Sequence, residues 1–188
     1  MTRILGVDPG LTRCGVGVID LAAGRRVNLV SVDVYRSEPS LELSARIASI
    51  GNRIEELILR DKPEVIALER VYADVNVRSV MGTAQISGVV LLLANRHGLP
   101  ISMHTPTEVK AAVTGSGKAD KAQVGTMVAK ILGLAEIPKP ADAADSLAIA
   151  ICHAWRGAAA SMGSGESLTP AQAAWQAAER AAARKREG

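Results

Sequence analysis

Two short apolar runs of this chain each close on a carboxylate: Ile4-Leu5-Gly6-Val7-Asp8 and Val65-Ile66-Ala67-Leu68-Glu69. A run of this length that stops at polar sequence reads as a strand buried on both faces, the pattern of parallel strands in an α/β sheet. Ligands of open α/β sheets lie beyond the carboxyl ends of the strands, so Asp8 and Glu69 are expected to share one edge. A third segment, Ala141-Asp142-Ala143-Ala144-Asp145, reads as the opening of a helix. Its i, i+3 spacing projects Asp142 and Asp145 from one face. Four carboxylates are thereby placed to converge.

Such a gathering needs a cation, because like charges a few ångströms apart raise one another's pKa until something neutralises them. Oxygen ligands suit Mg²⁺ or Mn²⁺, whereas zinc prefers His and Cys. Two such ions about 3.5 to 4 Å apart can activate a water and stabilise the leaving oxygen of a phosphodiester. Each carboxylate also has an ordinary structural role open to it. Asp8 precedes Pro9-Gly10 and suits a turn, Glu69 can pair with Arg70, and Asp142 and Asp145 favour the positive end of a helix. Asp145 is the hardest to explain that way. Leu147 to Ile151 is apolar all round and implies a helix buried on most faces.

Around these segments, residues 3 to 8, 14 to 21 and 26 to 35 read as a three-stranded antiparallel meander, broken at Pro9-Gly10 and Ala23-Gly24. Helical spacing of Leu41, Ala45, Ala48, Ile54, Leu57 and Ile58 predicts a helix over 40 to 61. A second fits 77 to 96, and a short strand runs from Pro100 to His104. Thr105-Pro106-Thr107-Glu108 has the form of a capping box with proline in the first turn. Further helices are expected over Ala119 to Leu132 and about Ala141 to Trp155. The order is βββαβαβαα and then α, an α/β chain with a mixed five-stranded sheet, three strands antiparallel followed by two parallel, flanked by helices.

With 188 residues, 48% hydrophobic and 22% charged, the chain can bury one sizeable core. One domain is expected over 1–156. From Gly157 the composition turns to Gly, Ala and Ser, so 157–188 reads as a linker and an Ala-rich basic tail ending in Arg184-Lys185-Arg186. No apolar run approaches the roughly 18 residues of a membrane span, and Met1-Thr2-Arg3 leads straight into a strand, so a cytoplasmic protein without membrane contact is expected. Cys14 and Cys152 have no paired spacing and read as core residues, while His97, His104 and His153 are isolated. His153, two turns after Asp145, is the histidine most open to a catalytic role. A net charge of +3 permits nucleic-acid binding. Lys110, Lys118 and Lys121 fall in one polar stretch that can meet phosphates or form a solvated loop.

Taken jointly, Gly6-Val7-Asp8-Pro9-Gly10, Ala67-Leu68-Glu69-Arg70-Val71, Gly82-Thr83-Ala84-Gln85, Lys121-Ala122-Gln123-Val124 and Ala141-Asp142-Ala143-Ala144-Asp145 resemble the RuvC family of bacterial Holliday-junction resolvases, which are ribonuclease H-like nucleases. The resemblance covers residues 1 to about 156. It implies that Asp8, Glu69, Asp142 and Asp145 are the catalytic residues and hold two Mg²⁺ ions, for which Mn²⁺ can substitute. It implies a homodimer that nicks two opposing strands of a four-way DNA junction symmetrically in recombination and repair, with RuvA and RuvB as partners. It places Tyr72, Lys110, Lys118 and Lys121 on DNA, Tyr72 by stacking on bases at the opened junction, although core packing is open to a lone tyrosine. The helix over 77 to 96, with Met81, Gly82, Ala84, Gly88, Val89 and Leu92, is a dimer contact by resemblance and equally a core helix by pattern. Alternatives are a junction-binding protein without catalysis and a related nuclease acting on RNA/DNA hybrid. A sugar-kinase-like ATPase would need two duplicated halves and a second Gly-rich phosphate motif.

Overall fold

The structure is a computed structural model; it describes residues 1–70 and 77–162, with side chains for all of these except 77–79 and 157–162. One compact unit spans Met1–Arg156. Five strands, β1 (Thr2–Asp8), β2 (Arg13–Leu21), β3 (Val27–Arg36), β4 (Val65–Glu69) and β5 (Ile101–His104), form a single sheet in the order β3-β2-β1-β4-β5. β1 pairs antiparallel with β2, and β2 with β3. β4 joins β1 in parallel, and β5 joins β4 in parallel. The mixed sheet expected from the sequence is therefore the sheet observed, and β4 is apolar on both faces because helices cover both.

Among the described residues there are also a 3₁₀ turn (Ala23–Arg25) and five α-helices: α1 (Leu43–Asp61), α2 (Val77–Arg96), α3 (Pro106–Thr114), α4 (Lys121–Leu132) and α5 (Ala141–Met162). Strand alternation sorts the core into two layers. Leu5, Val7, Val16, Val18, Ile66 and Leu68 pack with Ile50, Ile54, Leu57, Ile86 and Val90 of α1 and α2. Ile4, Ile19, Val65 and Ala67 pack with Val109, Val124, Val128 and the buried stretch Leu147–Cys152 of α3, α4 and α5. Both cysteines are buried and free, with burial pushing the Cys14 thiol up to about 12 and the Cys152 thiol to about 11. They are core residues, as expected.

Differences from the sequence reading lie at the element ends. α1 starts at Leu43 rather than at residue 40, leaving Leu41 in a turn and 49% exposed. α4 starts after Asp120, whose carboxylate accepts from the Gln123 N–H while the Gln123 side chain returns to the Asp120 N–H. That second capping box displaces the expected start at Ala119. The first box is observed as read, between Thr105 and Glu108 with Pro106 in the first turn. α5 continues to Met162, past the Gly157 at which the linker was expected to begin, because Ala158-Ala159-Ala160 favours helix.

Candidate active site

Alternation along β1 and β4 decides where the two strand-end carboxylates point. Ile4 and Gly6 face α5, and Asp8 continues that face; Val65 and Ala67 face α5, and Glu69 continues it. The parallel register Ile4↔Val65 to Val7↔Leu68 brings the two ends level. α5 lies unusually close to this face. A Cβ on Gly6 would collide with the carbonyl oxygen of Ser146, and a Cβ on Gly15 with that of Asp142, so only glycine at these two positions lets the helix settle on the strands. The first turn of α5, with Asp142 and Asp145, is thus delivered to the ends of β1 and β4.

The loop between Asp8 and β2 is pinned from the other side. Arg46 of α1 donates to the Ser37 hydroxyl at 3.0 Å and to the Thr12 hydroxyl at 3.0 Å, and Ser37 donates to the Leu11 carbonyl. Asp8 therefore leaves a fixed strand and enters a tethered turn.

Asp8, Glu69 and Asp145 line one cavity of about 280 Å³ together with Lys110 and Lys121, over an apolar floor that includes Val109, Val124 and Ile149. Burial, and after it the negative charges of Glu69, Asp145 and Asp142, push the Asp8 carboxyl up to about 8. Burial and Asp145 likewise raise Glu69, against a hydrogen bond from Asp8 and the nearby positive charges of Lys121 and Lys110. Lys121, the first residue of α4, donates to Asp145 Oδ2 at 3.0 Å, which raises the lysine pKa. Asp142 does not line the cavity. It is paired with Arg13, Nε to Oδ2 3.1 Å, at the start of β2.

Among the described residues, no three His, Cys, Asp or Glu side chains stand close enough to hold a metal as they are. The donor set nevertheless fits a hard divalent cation: all four acidic groups offer oxygen only, their charges disturb one another, and two already have cationic stand-ins in Lys121 and Arg13.

Of the remaining expected residues, Lys110 and Lys121 belong to the cavity, whereas Lys118 does not. Lys118 lies on the α3–α4 connection and lines a separate groove with Thr114, Ser116 and Gln123. Tyr72 lies outside the described residues. His153 is held by His104, Nδ1 to Nε2 3.2 Å, and is absent from the cavity lining; burial lowers both rings' pKa values, that of His104 to about 4. Sequence reasoning missed Arg13 and Gly15. Gly15 had a signal, since Gly15 and Gly17 share one face of β2; Arg13 had none, because its partner is 129 positions away.

This sheet order, with carboxylates closing the first and fourth strands and a helix laid across them, defines a ribonuclease H-like nuclease. Solved structures with this fold include the yeast mitochondrial Holliday junction resolvase Ydc2, with a TM-score of 0.56 and 15% identity over 83% of this chain and 81% of that one, a likeness of fold alone. The family model described as crossover junction endodeoxyribonuclease RuvC matches residues 4–153, and the chain belongs to that family. RuvC of Leifsonia xyli subsp. xyli is 54% identical over 195 residues, covering 97% of this chain and 94% of that protein. The T. thermophilus RuvC solved in complex with Holliday junction substrate superposes with a TM-score of 0.79 at 33% identity, covering 84% of this chain and 95% of that one. Among the described residues no helix is long and apolar enough to cross a membrane.

Proposed function

We propose that the protein is a structure-specific endodeoxyribonuclease that resolves four-way DNA junctions by paired symmetric nicks, in recombination and repair. The observation that carries this reading is a cavity in which carboxylates from β1, β4 and α5 meet two lysines, in a chain similar to a RuvC solved in complex with Holliday junction substrate.

Asp8, Glu69, Asp142 and Asp145 are the residues assigned to hold two Mg²⁺ ions, with Mn²⁺ as a substitute. Bound there, the cations would supply an activated water and charge stabilisation for the leaving oxygen of the scissile phosphodiester. The chain's own residues do the rest. Asp8, whose carboxyl burial pushes up to about 8, would hold a cation in its ionised form. Lys110 and Lys121 face the same cavity and offer ammonium groups to the scissile strand, and Lys118 extends the basic track along the α3–α4 connection. Tyr72, three residues beyond Glu69, is assigned to base stacking.

One active site makes one cut, so two opposed nicks call for a homodimer whose two-fold axis matches that of the junction. The stripe Met81, Gly88 and Leu92 on α2 supports this: both large side chains are more than half exposed, and a Cβ on Gly88 would meet nothing. Residues 1–156 form the nuclease domain in this reading; the tail expected beyond α5, from residue 163 to 188, lies outside the described residues; the protein acts in the cytoplasm with RuvA and RuvB.

The test is cleavage of end-labelled four-way junction, linear duplex and RNA/DNA hybrid, each with Mg²⁺ and with chelator, with every strand mapped. Symmetric nicks confined to the junction and dependent on Mg²⁺ support the reading. Tight junction binding without cuts would point to a non-catalytic binder, and cleavage of hybrid alone to another branch of the fold.

A further inference from the structure

Five residues end or begin strands along the edge of the sheet that carries the active site. In spatial order they are Arg36 at the end of β3, Arg13 at the start of β2, Asp8 at the end of β1, Glu69 at the end of β4 and His104 at the end of β5. The carboxylates are therefore flanked twice by positive charge. Lys110 and Lys121 stand on the side of α3 and α4, and Arg13 and Arg36 on the side of β2 and β3.

Arg13 and Arg36 are directly opposed in the β2–β3 ladder. Like charges in that arrangement repel, which leaves each seeking an anion. Among the described residues Arg36 has no ion-pair partner, and Arg13 has Asp142. The contact is built into the fold. Arg13 and Gly15 share one face of β2, and Gly15 is where the Asp142 carbonyl presses against that strand, so the guanidinium and the Asp142 carboxylate are brought together by the same close approach that seats α5. Yet the Arg13 side chain is 55% exposed, and half its surface remains available to a second anion.

We propose that Arg13 is a phosphate-contacting residue held in reserve by Asp142, released to the DNA backbone when a divalent cation takes over that carboxylate. The inference rests on the metal-dependent nuclease reading above. Once Asp142 is neutralised from the other side, the guanidinium faces a cation and Arg36 with no anion of its own. A phosphate arriving at the sheet edge relieves both repulsions, and the planar fork of arginine suits its oxygens. Metal and junction binding then become mutually favourable, since coupling between two sites is reciprocal. Arg13 would hold the strand on the side of the scissile phosphate opposite to Lys110 and Lys121.

Arg13→Gln tests this with two binding measurements. Titration of Mg²⁺ into DNA-free protein is expected to show several-fold tighter binding in the variant, because the competitor for Asp142 is gone. Junction affinity against salt is then measured with chelator and with Ca²⁺, scored only while the junction stays uncut. With chelator the two proteins should share one slope of log K on log salt. With Ca²⁺ the wild-type slope should steepen by about one unit, the signature of one added phosphate contact, and that of the variant should fall short by the same amount. Equal loss in both conditions would make Arg13 a permanent contact, and no loss in either would make it a simple surface ion pair; either result overturns the proposal. Wild-type protein that neither binds Mg²⁺ nor responds to Ca²⁺ would instead bring down the underlying metal site, and this inference with it.

Discussion

Replacing Asp8 by Asn should stabilise the metal-free protein while abolishing cleavage. In the folded chain the Asp8 carboxyl is pushed up to about 8, first by burial and then by Glu69, Asp145 and Asp142. In the unfolded chain it returns to the ordinary value of about 3.9. Between these limits the folded state binds the extra proton, so the contribution of Asp8 to wild-type stability is fully present below pH 4 and is lost as pH rises, by about 1.4 kcal/mol per unit, until the window closes near pH 8. Asn has no proton to take up and escapes that loss. At pH 7 the variant is therefore expected to be more stable by about 2 to 4 kcal/mol, or roughly 5 to 15 °C in Tm for a domain of this size. Differential scanning calorimetry in chelator, at several pH values, measures the gap, which should shrink to nothing by about pH 4. Added Mg²⁺ should close it from the other side. A ligand at a hundred times its Kd contributes about 2.7 kcal/mol to the wild type, and far less to a variant lacking one carboxylate. A variant less stable than wild type in chelator at pH 7, or a gap that ignores pH, would refute the claim that burial and the neighbouring carboxylates disfavour the charged form of Asp8.

Three further outcomes follow from the same geometry. Glu69→Gln should leave junction affinity in chelator within about twofold of wild type yet remove detectable nicking in a single-turnover assay, and undiminished turnover would dismiss Glu69 as a ligand. Lys121→Ala should weaken junction binding and reduce the salt slope by about one unit; an unchanged slope would mean that its contact with Asp145 is its whole role. Gly15→Ala should cost about 1 to 3 kcal/mol of stability in urea unfolding, because its Cβ meets the Asp142 backbone, and should slow cleavage by at least tenfold as the first turn of α5 is displaced; normal activity would show that this turn tolerates being moved.

Much of this architecture was legible in the chain because its signals are local. β1 and β4 declare themselves as apolar runs with an abrupt carboxylate, and Thr105 with Glu108 announces α3 through a pair of hydrogen bonds three residues apart. The face shared by Asp8, Glu69 and α5 follows from alternation alone once parallel pairing is assumed. Other features were hidden for physical reasons. Lys118 shares a polar stretch with Lys110 and Lys121, but the turn between α3 and α4 carries it to a different groove, since closeness in sequence does not fix the side of a connection. The Arg13–Asp142 pair depends on how deeply α5 seats against β2. Leu41 matches the period of α1 yet stays outside it, exposed, because helical spacing says little about where the first turn begins.

The central claim is that carboxylates from β1, β4 and α5 together bind divalent metal. Crystals of the protein soaked in Mn²⁺ and measured at the manganese absorption edge test it most directly, because anomalous scattering locates the ions without reference to activity. Two strong peaks bounded by Asp8, Glu69, Asp142 and Asp145, with Lys121 and Arg13 withdrawn from their carboxylate partners, are the expected result. Manganese bound elsewhere, with both ion pairs intact and the cavity free of anomalous density, would contradict it.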